Sequence, residues 1–437
     1  MTAAASAAAK PSFRYTQLAV GVVCMVMIAN LQYGWNLFVD PIDQRYHWGR
    51  EAIQWAFAIF VVSETWPVPI EGWFVDRFGP KVVVTVGGIL VAIAWTINSV
   101  ASSLYVLYFA AAISGIGAGA VYGTCVGNAL KWFADRRGFA SGLTAAGFGA
   151  GAAATVVPIR EFIGAFGYQS AFLWFGLGQG LVILVLARFL RAPAAGQVPP
   201  VNKPRLLQTK HEHSPLEMVR TPLFWVLYAM FVLVAAPGLA LAAQFALVAK
   251  DFGVANTPLA MLGIGLGTTL TVALTVDNIL NGLARPFFGW VSDRIGREVT
   301  MFLVFSAGAI SMWALGTYGM NPVLFVVSAA LVFFTWGEIY SLFPSTCTDS
   351  YGAKYATTNA GLLYTAKGTA ALLVPLVNVL VTYSGGWHTA FIVAAIMDAV
   401  AAIAAIFVLR PLRARHYVHS TRIAEPLPTE ATPARAA

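Results

Sequence analysis

The sequence predicts an all-α integral membrane protein with twelve transmembrane helices in two pseudo-symmetric six-helix halves, and three observations carry that prediction. Of the 437 residues, 58% are hydrophobic and only 11% charged, and the apolar residues gather in stretches of about 20, the length a spanning helix needs. The Lys and Arg residues collect on alternate connections between those stretches. A charged turn beginning at Gly72 recurs at Gly289, half a chain later.

The twelve spans fall at 16–38, 52–75, 82–101, 104–130, 138–159, 170–190, 222–248, 260–290, 299–317, 322–346, 357–382 and 387–409. They divide the chain into an N-terminal tail (1–15), a first half (16–190), a central loop (191–220), a second half (221–410) and a C-terminal tail (411–437). Met1 to Pro11 is Ala-rich, and the apolar segment after it is too long for a signal-peptide core, so it reads as a retained first span. The central loop is polar and carries Pro193, Pro199, Pro200, Pro204 and Pro215, which keeps it outside the membrane. From Thr421 onward the chain is rich in Pro, Ala and Thr and reads as disordered.

The formal net charge is +8. In a soluble protein this would suggest nucleic acid, but the distribution decides otherwise. Of the 27 Lys and Arg residues, 21 fall on one side of the inferred membrane, four on the other (Arg45, Arg50, Arg160, Lys250), and Arg285 and Lys367 within it. The positive-inside rule then places both termini in the cytoplasm. The expected surroundings are a lipid bilayer, with no nucleic acid, and the chain is expected to be monomeric. Cys24, Cys125 and Cys347 all lie in predicted spans and give neither a disulfide framework nor a metal spacing, so no metal or cofactor is expected.

The repeated turn runs Gly72-Trp73-Phe74-Val75-Asp76-Arg77-Phe78-Gly79-Pro80-Lys81 and Gly289-Trp290-Val291-Ser292-Asp293-Arg294-Ile295-Gly296-Arg297, an offset of 217 residues. Each copy joins the second and third spans of its half. Gly72, Gly79, Gly289 and Gly296 permit the bend, Asp76 and Asp293 favour a helix N-terminus, and Arg77, Arg294 and the basic residues that follow stay with water.

Arg285 and Lys367 lie about 12 Å and about 15 Å inside their spans at helical rise, near the middle of a hydrocarbon core roughly 30 Å thick. Two buried cations ask for an anion. The competing reading is structural: Glu64, Glu71, Asp277, Glu338 and Asp398 also lie in spans and could neutralise them. Two further motifs read as bland. Gly115-Ile116-Gly117-Ala118-Gly119, with Gly147 and Gly151, has no strand before it and reads as close helix packing. His211-Glu212-His213 reads as a solvated loop segment.

A Gly-x-x-x-Asp-Arg-x-Gly turn present twice at matching places resembles the major facilitator superfamily, which implies two halves rocking about a midplane site. Four stretches resemble the bacterial oxalate/formate antiporters within it: Leu31-Gln32-Tyr33-Gly34-Trp35, Asn281 to Phe287, Phe333 to Ser345, and Ala366-Lys367. In that family an intramembrane Arg of the eighth helix and Lys of the eleventh bind the dicarboxylate, and they match Arg285 and Lys367. Aromatic residues surround the ligand there, which implies roles for Tyr33, Tyr122, Trp336 and Tyr340, with Gln32 beside them. The chemistry suits the residues: Arg offers a planar fork to one carboxylate, and Lys is a compact point charge.

The resemblance thus implies an inner-membrane exchanger that imports oxalate and exports formate without covalent chemistry. Glu64 and Asp277 stand where relatives carry amides, Glu338 replaces a small residue, and Phe148 stands where a Tyr hydroxyl is expected. These departures leave oxalate selectivity open and make Glu338, Glu64 and Asp277 candidates for charge balance or proton coupling. A proton-coupled monocarboxylate carrier is the rival of the same fold. A non-transporting membrane sensor is the rival of another class and would be expected to show a soluble signalling module.

Overall fold

The computed structural model describes residues 13–424 apart from 195, 199–205 and 262–263. The predicted N-terminal tail to residue 12, three of the central-loop prolines and the chain from residue 425 lie outside the described residues. In the first half the helices are α1 (Phe13–Tyr33), α2 (Asn36–Tyr46), α3 (Arg50–Thr65), α4 (Val68–Phe78), α5 (Pro80–Val100), α6 (Leu104–Trp132) and α7 (Arg137–Ala187). A short α8 (Pro215–Val219) precedes the second half. That half holds α9 (Pro222–Asp251), a hairpin of β1 (Pro258–Met261) and β2 (Ile264–Thr268), α10 (Thr269–Ile295), α11 (Arg297–Tyr318), α12 (Pro322–Gly337), α13 (Ile339–Tyr351), α14 (Ala356–Ala371), α15 (Val374–Ser384) and α16 (Trp387–Ala404). A π-helical turn, Ala405–Leu409, joins α16 to α17 (Arg410–Ala424).

Ten helical stretches among the described residues are long and apolar enough to cross a membrane. One of them, α7, is 51 residues long and holds two arms that meet at Gly167, where φ is +82°. The ten count both arms of α7 as one stretch and leave out α10, whose apolar run is interrupted by Asp277, Asn278, Asn281 and Arg285.

Several boundaries differ from the sequence reading, each for a local reason. The span predicted to begin at residue 260 begins at Thr269, because Pro258–Met261 and Ile264–Thr268 pair as antiparallel strands, with Gly267 at φ +107°. Four predicted spans are broken: between α1 and α2 at Gly34-Trp35, between α3 and α4 at Pro67, between α12 and α13 at Glu338, and between α14 and α15 just before Pro375. Proline lacks the N–H that continues a helix, which accounts for two of these. Thr421 to Ala424 is helical in α17, not disordered.

The two halves meet chiefly where α7 packs along α10 and where α14 packs against α4 and α6. Here the repeated turn does more than turn the chain. Gly79 (φ +85°) and Gly296 (φ +103°) make the bends, but Gly72 and Gly289 serve close approach. A Cβ on Gly72 would lie 2.8 Å from the Thr357 carbonyl oxygen of α14, and one on Gly289 would strike the Gly138 carbonyl of α7. The aspartates cap helices of the opposite half. Asp76 Oδ2 accepts from the N–H (3.0 Å) and hydroxyl (2.6 Å) of Thr358 at the start of α14. Asp293 accepts from the N–H groups of Gly138 (3.0 Å) and Phe139 (2.8 Å) at the start of α7.

Buried ion pairs complete this end. Asp349 holds Arg137 of the other half at 2.8 Å and Arg297 at 2.9 Å, and Arg297 also pairs with Asp293 at 2.8 Å. Arg297 was expected to stay with water; it is fully buried, because two carboxylates replace its hydration. Arg77 and Arg294 lie over Trp73 and Trp290, with centroid distances of 5.3 and 3.5 Å. The expectation of a solvated His211-Glu212-His213 segment fails at His213, while Glu212 is exposed. His213 is buried, its ring 4.5 Å from that of His211 and 4.9 Å from that of His416 on α17, with Ser420 Oγ 3.4 Å from its Nε2.

Two outcomes follow from this packing. Gly289→Ala pushes a methyl group into the Gly138 backbone, an overpacking that costs about 1–3 kcal/mol; the purified protein should unfold at a lower temperature in detergent, and an unchanged value would contradict the close approach. Burial, with His416 and His211 adjacent, pushes the His213 imidazole from 6.5 down to about 4. The unfolded chain therefore binds the extra proton, and the stability contributed by neutral His213 is present above pH 6.5 and is lost as the pH falls toward about 4. Thermal stability measured across that window should fall by a component that His213→Phe removes.

Candidate functional site

Both cations reach from the second half into the first. Arg285, on α10, is 1% exposed; its Nη1 donates to the Ala145 carbonyl of α7 at 2.7 Å and its Nη2 to Asn281 Oδ1 at 2.9 Å. The four-residue spacing from Asn281 places that amide on the same helix face. The guanidinium carbon lies 4.7 Å from the centroid of the Tyr340 ring, and Tyr33 and Tyr122 are its other electrostatic neighbours. Among the described residues Arg285 has no carboxylate partner, and its buried Nε–H donates to nothing. A guanidinium so placed has a free edge on which to accept an anion.

Lys367, on α14, is 2% exposed and is bound differently. Its Nζ lies 3.0 Å from Glu64 Oε2, 2.9 Å from the Tyr364 hydroxyl and 3.4 Å from Gln32 Oε1. Glu64 comes from the last turn of α3, directly before the Pro67 break, and Gln32 from the last turn of α1, directly before Gly34. Lys367 is thus paired with a carboxylate, whereas Arg285 has none among the described residues.

Aromatic rings close the space around the two charges. Tyr122 stacks on Tyr364 at 4.8 Å, Phe148 sits 5.3 Å from Tyr33 and 5.5 Å from Tyr122, and the Lys367 ammonium lies 5.8 Å from the Tyr340 ring and 5.2 Å from the Tyr364 ring. Tyr340 faces both cations. Such rings exclude water while offering hydroxyls at their tips.

The other expected residues lie further out. Trp336 packs edge-on to Tyr340 at 5.8 Å and against Gly238 of α9, with its indole N–H unbonded. Glu338 is fully buried at the break between α12 and α13, with neither carboxyl oxygen hydrogen-bonded; Asp398 of α16 and Arg285 are its charged neighbours. Among the described residues it forms no ion pair, whereas Glu64, expected alongside it, pairs with Lys367. Asp277, 3% exposed, lies two turns before Arg285 on α10 and has no partner for either oxygen. An apolar cleft of about 230 Å³ between α9, α11, α15 and α16 is lined by Leu241, Met312, Leu376 and Phe391 among others, and by none of the residues around the cations.

Sequence reading missed Tyr364. Its spacing of three residues before Lys367 on one helix was the available signal. It also missed Asp349, whose two arginine partners come from distant helices and leave no local pattern.

The model of the Major Facilitator Superfamily matches residues 18–375 and 281–434. The chain is 35% identical over 397 residues to the oxalate:formate antiporter of Oxalobacter formigenes, covering 91% of each chain. Among solved structures it is similar in fold to the proton:xylose symporter XylE, with a TM-score of 0.69 at 11% identity over 91% of this chain and 96% of that one. It is similar too to the Escherichia coli fucose:proton symporter FucP, with a TM-score of 0.65 at 15% identity over 90% and 98%. The repeated turn, the two packed halves and the family match agree, and the chain belongs to the major facilitator superfamily.

Proposed function

We propose that this chain is a bacterial inner-membrane exchanger of small carboxylates, taking oxalate in and formate out by alternating access, with both termini in the cytoplasm. The observation that carries the proposal is Arg285: a buried guanidinium held by neutral acceptors, with an unbonded Nε–H edge and no counter-ion among the described residues. Burying an ion without its partner costs several kcal/mol, and a carboxylate on that edge offsets it. Lys367 supplies the second charge, Tyr33, Tyr122, Tyr340 and Tyr364 supply hydroxyl donors, and Gln32 an amide. The similarity to the Oxalobacter formigenes antiporter supports the choice of oxalate and formate.

A second reading is a carrier of monocarboxylates coupled to protons. The observation favouring it is the Lys367–Glu64 ion pair, which leaves Arg285 as the single unneutralised cation of the two. Both readings place the anion on Arg285.

Two measurements in proteoliposomes test the proposal. Arg285→Lys keeps the charge but loses the planar fork, and losing hydrogen bonds to a charged group worth about 1.5–3 kcal/mol should lower oxalate affinity roughly 10- to 100-fold. Lys367→Arg should retain more activity, since a point-charge contact demands less geometry. Full oxalate exchange by Arg285→Gln at normal membrane abundance sinks the assignment. The second measurement concerns the empty carrier. Bound anion relieves the isolated charge on Arg285, so the loaded protein reorients faster than the empty one. Labelled oxalate inside vesicles should leave quickly into buffer containing formate and slowly into anion-free buffer; equal rates would replace exchange by uniport.

A further inference from the structure

We propose that Glu64 is a counter-anion built into the carboxylate site: it competes with the ligand for Lys367 and ties the uptake of each dianion to one proton. The inference rests on the carboxylate reading above and deepens it. Glu64 is fully buried, its Oε2 lies 3.0 Å from Lys367 Nζ, and its Oε1 has no hydrogen-bond partner. It is therefore half-satisfied, free at one oxygen to take a proton and held at the other by the lysine a ligand would need.

Charge counting gives the consequence. Arg285, Lys367 and ionised Glu64 sum to +1 in a site shut from water. A monocarboxylate on Arg285 brings the sum to zero and leaves the Lys367–Glu64 pair intact. A dicarboxylate that bridges both cations must displace Glu64 from Lys367, and the sum becomes −1. Low-dielectric surroundings disfavour that excess and favour protonation of the released carboxylate. A proton on Glu64 restores neutrality.

The neighbours of Glu64 point the same way. Glu71 on α4 is an acidic neighbour whose two oxygens have no hydrogen-bond partner, so it offers a displaced Glu64 no counter-charge. Tyr122 on α6, Tyr340 on α13 and Tyr364 on α14 face it with neutral hydroxyls, and Gln32 on α1 reaches the same ammonium. Lys367 is its single cationic partner among the described residues. Displacement of Glu64 thus leaves it with no other cation there to turn to.

The proton changes the electrical character of the exchange. Oxalate dianion moving in with one proton carries one net negative charge, and formate moving out carries one, so a full cycle moves no net charge. Removing the titratable group leaves an uncompensated dianion. Exchange by Glu64→Gln then moves one net negative charge inward per cycle.

The test uses the full-length protein in proteoliposomes with labelled oxalate and labelled formate, from about pH 6 to about pH 8, with and without an imposed membrane potential. In the wild-type protein oxalate uptake should fall by up to ~10-fold per pH unit, the slope of one bound proton, while formate self-exchange stays flat. Oxalate–formate exchange should ignore the potential. Glu64→Gln should flatten the pH profile, make exchange respond to the potential and raise the preference for oxalate over formate. Wild-type oxalate uptake that is flat with pH and sensitive to potential overturns the inference. So does a Glu64→Gln protein that keeps the wild-type pH slope, since the proton then rides on the substrate or on another acid. If Glu64→Gln does not reach the bilayer, Glu64→Asp and the wild-type pH and potential profiles decide the matter. Absence of any carboxylate transport by the wild-type protein overturns the carboxylate reading itself and this inference with it.

Discussion

The structure turns on two cations placed where a cation is least stable. Arg285 and Lys367 belong to one half, and their hydrogen bonds run to the other: to the Ala145 carbonyl on α7, and to Glu64 and Gln32 on α3 and α1. In a medium without water these contacts cannot be exchanged for solvation, so whatever separates the halves on this level must also supply new partners to the cations. Under the proposed function, this property is what makes the site responsive to small anions. Neutral side chains in the same positions would glue the halves together or leave them indifferent.

The helix breaks follow from the same constraint. Gln32 and Tyr33 directly precede the Gly34 break, Glu64 precedes Pro67, Glu338 and Tyr340 flank the junction of α12 and α13, and Lys367 stands one to two turns before the end of α14. A continuous apolar helix spends all its backbone polar groups on itself, whereas an interrupted one turns side chains and carbonyls inward at mid-depth. The breaks therefore lie where polar chemistry is needed. The opposite arrangement governs the end closed by the repeated turns, where Gly72 and Gly289 let backbones touch and Asp76, Asp293 and Asp349 meet their own arginines, lysine and helix N-termini.

Much of this was legible in the chain, for physical reasons that also mark the limit. Arg285 and Lys367 stand out because an ionised group in an apolar run is rare and costly, and the turn repeats because two halves face the same aqueous boundary. Tyr33, Tyr122 and Tyr340 were named from the resemblance and do gather around the cations. The pairing of Glu64 with Lys367 could not be read, because the two are 303 positions apart and any of five acids within the predicted spans was a candidate. Gly72 and Gly289 were read as bends, since a sequence shows the turn but not the helix lying across it. Arg297 was read as solvated because a basic residue after a turn usually is; only the arrival of Asp349 from α13 buries it.

The two levels of contact differ in one respect that bears on how the halves move. At the turn end the buried carboxylates have partners of opposite sign within the protein: Asp76 with Lys131, Asp293 with Arg297, Asp349 with Arg137 and Arg297. That end is electrically complete and gains nothing from a ligand. At the cation level Lys367 is paired with Glu64, and Arg285 is held by dipoles alone. A ligand can change the energy of a conformational equilibrium only where it interacts differently with the two states. Under the proposed function the turn end sets a resting preference that no anion alters, and the cation level is where the anion acts. On that division of labour, substitutions at the turns shift the balance between conformations for every substrate alike, while substitutions at Arg285, Lys367 and Glu64 discriminate among substrates by charge.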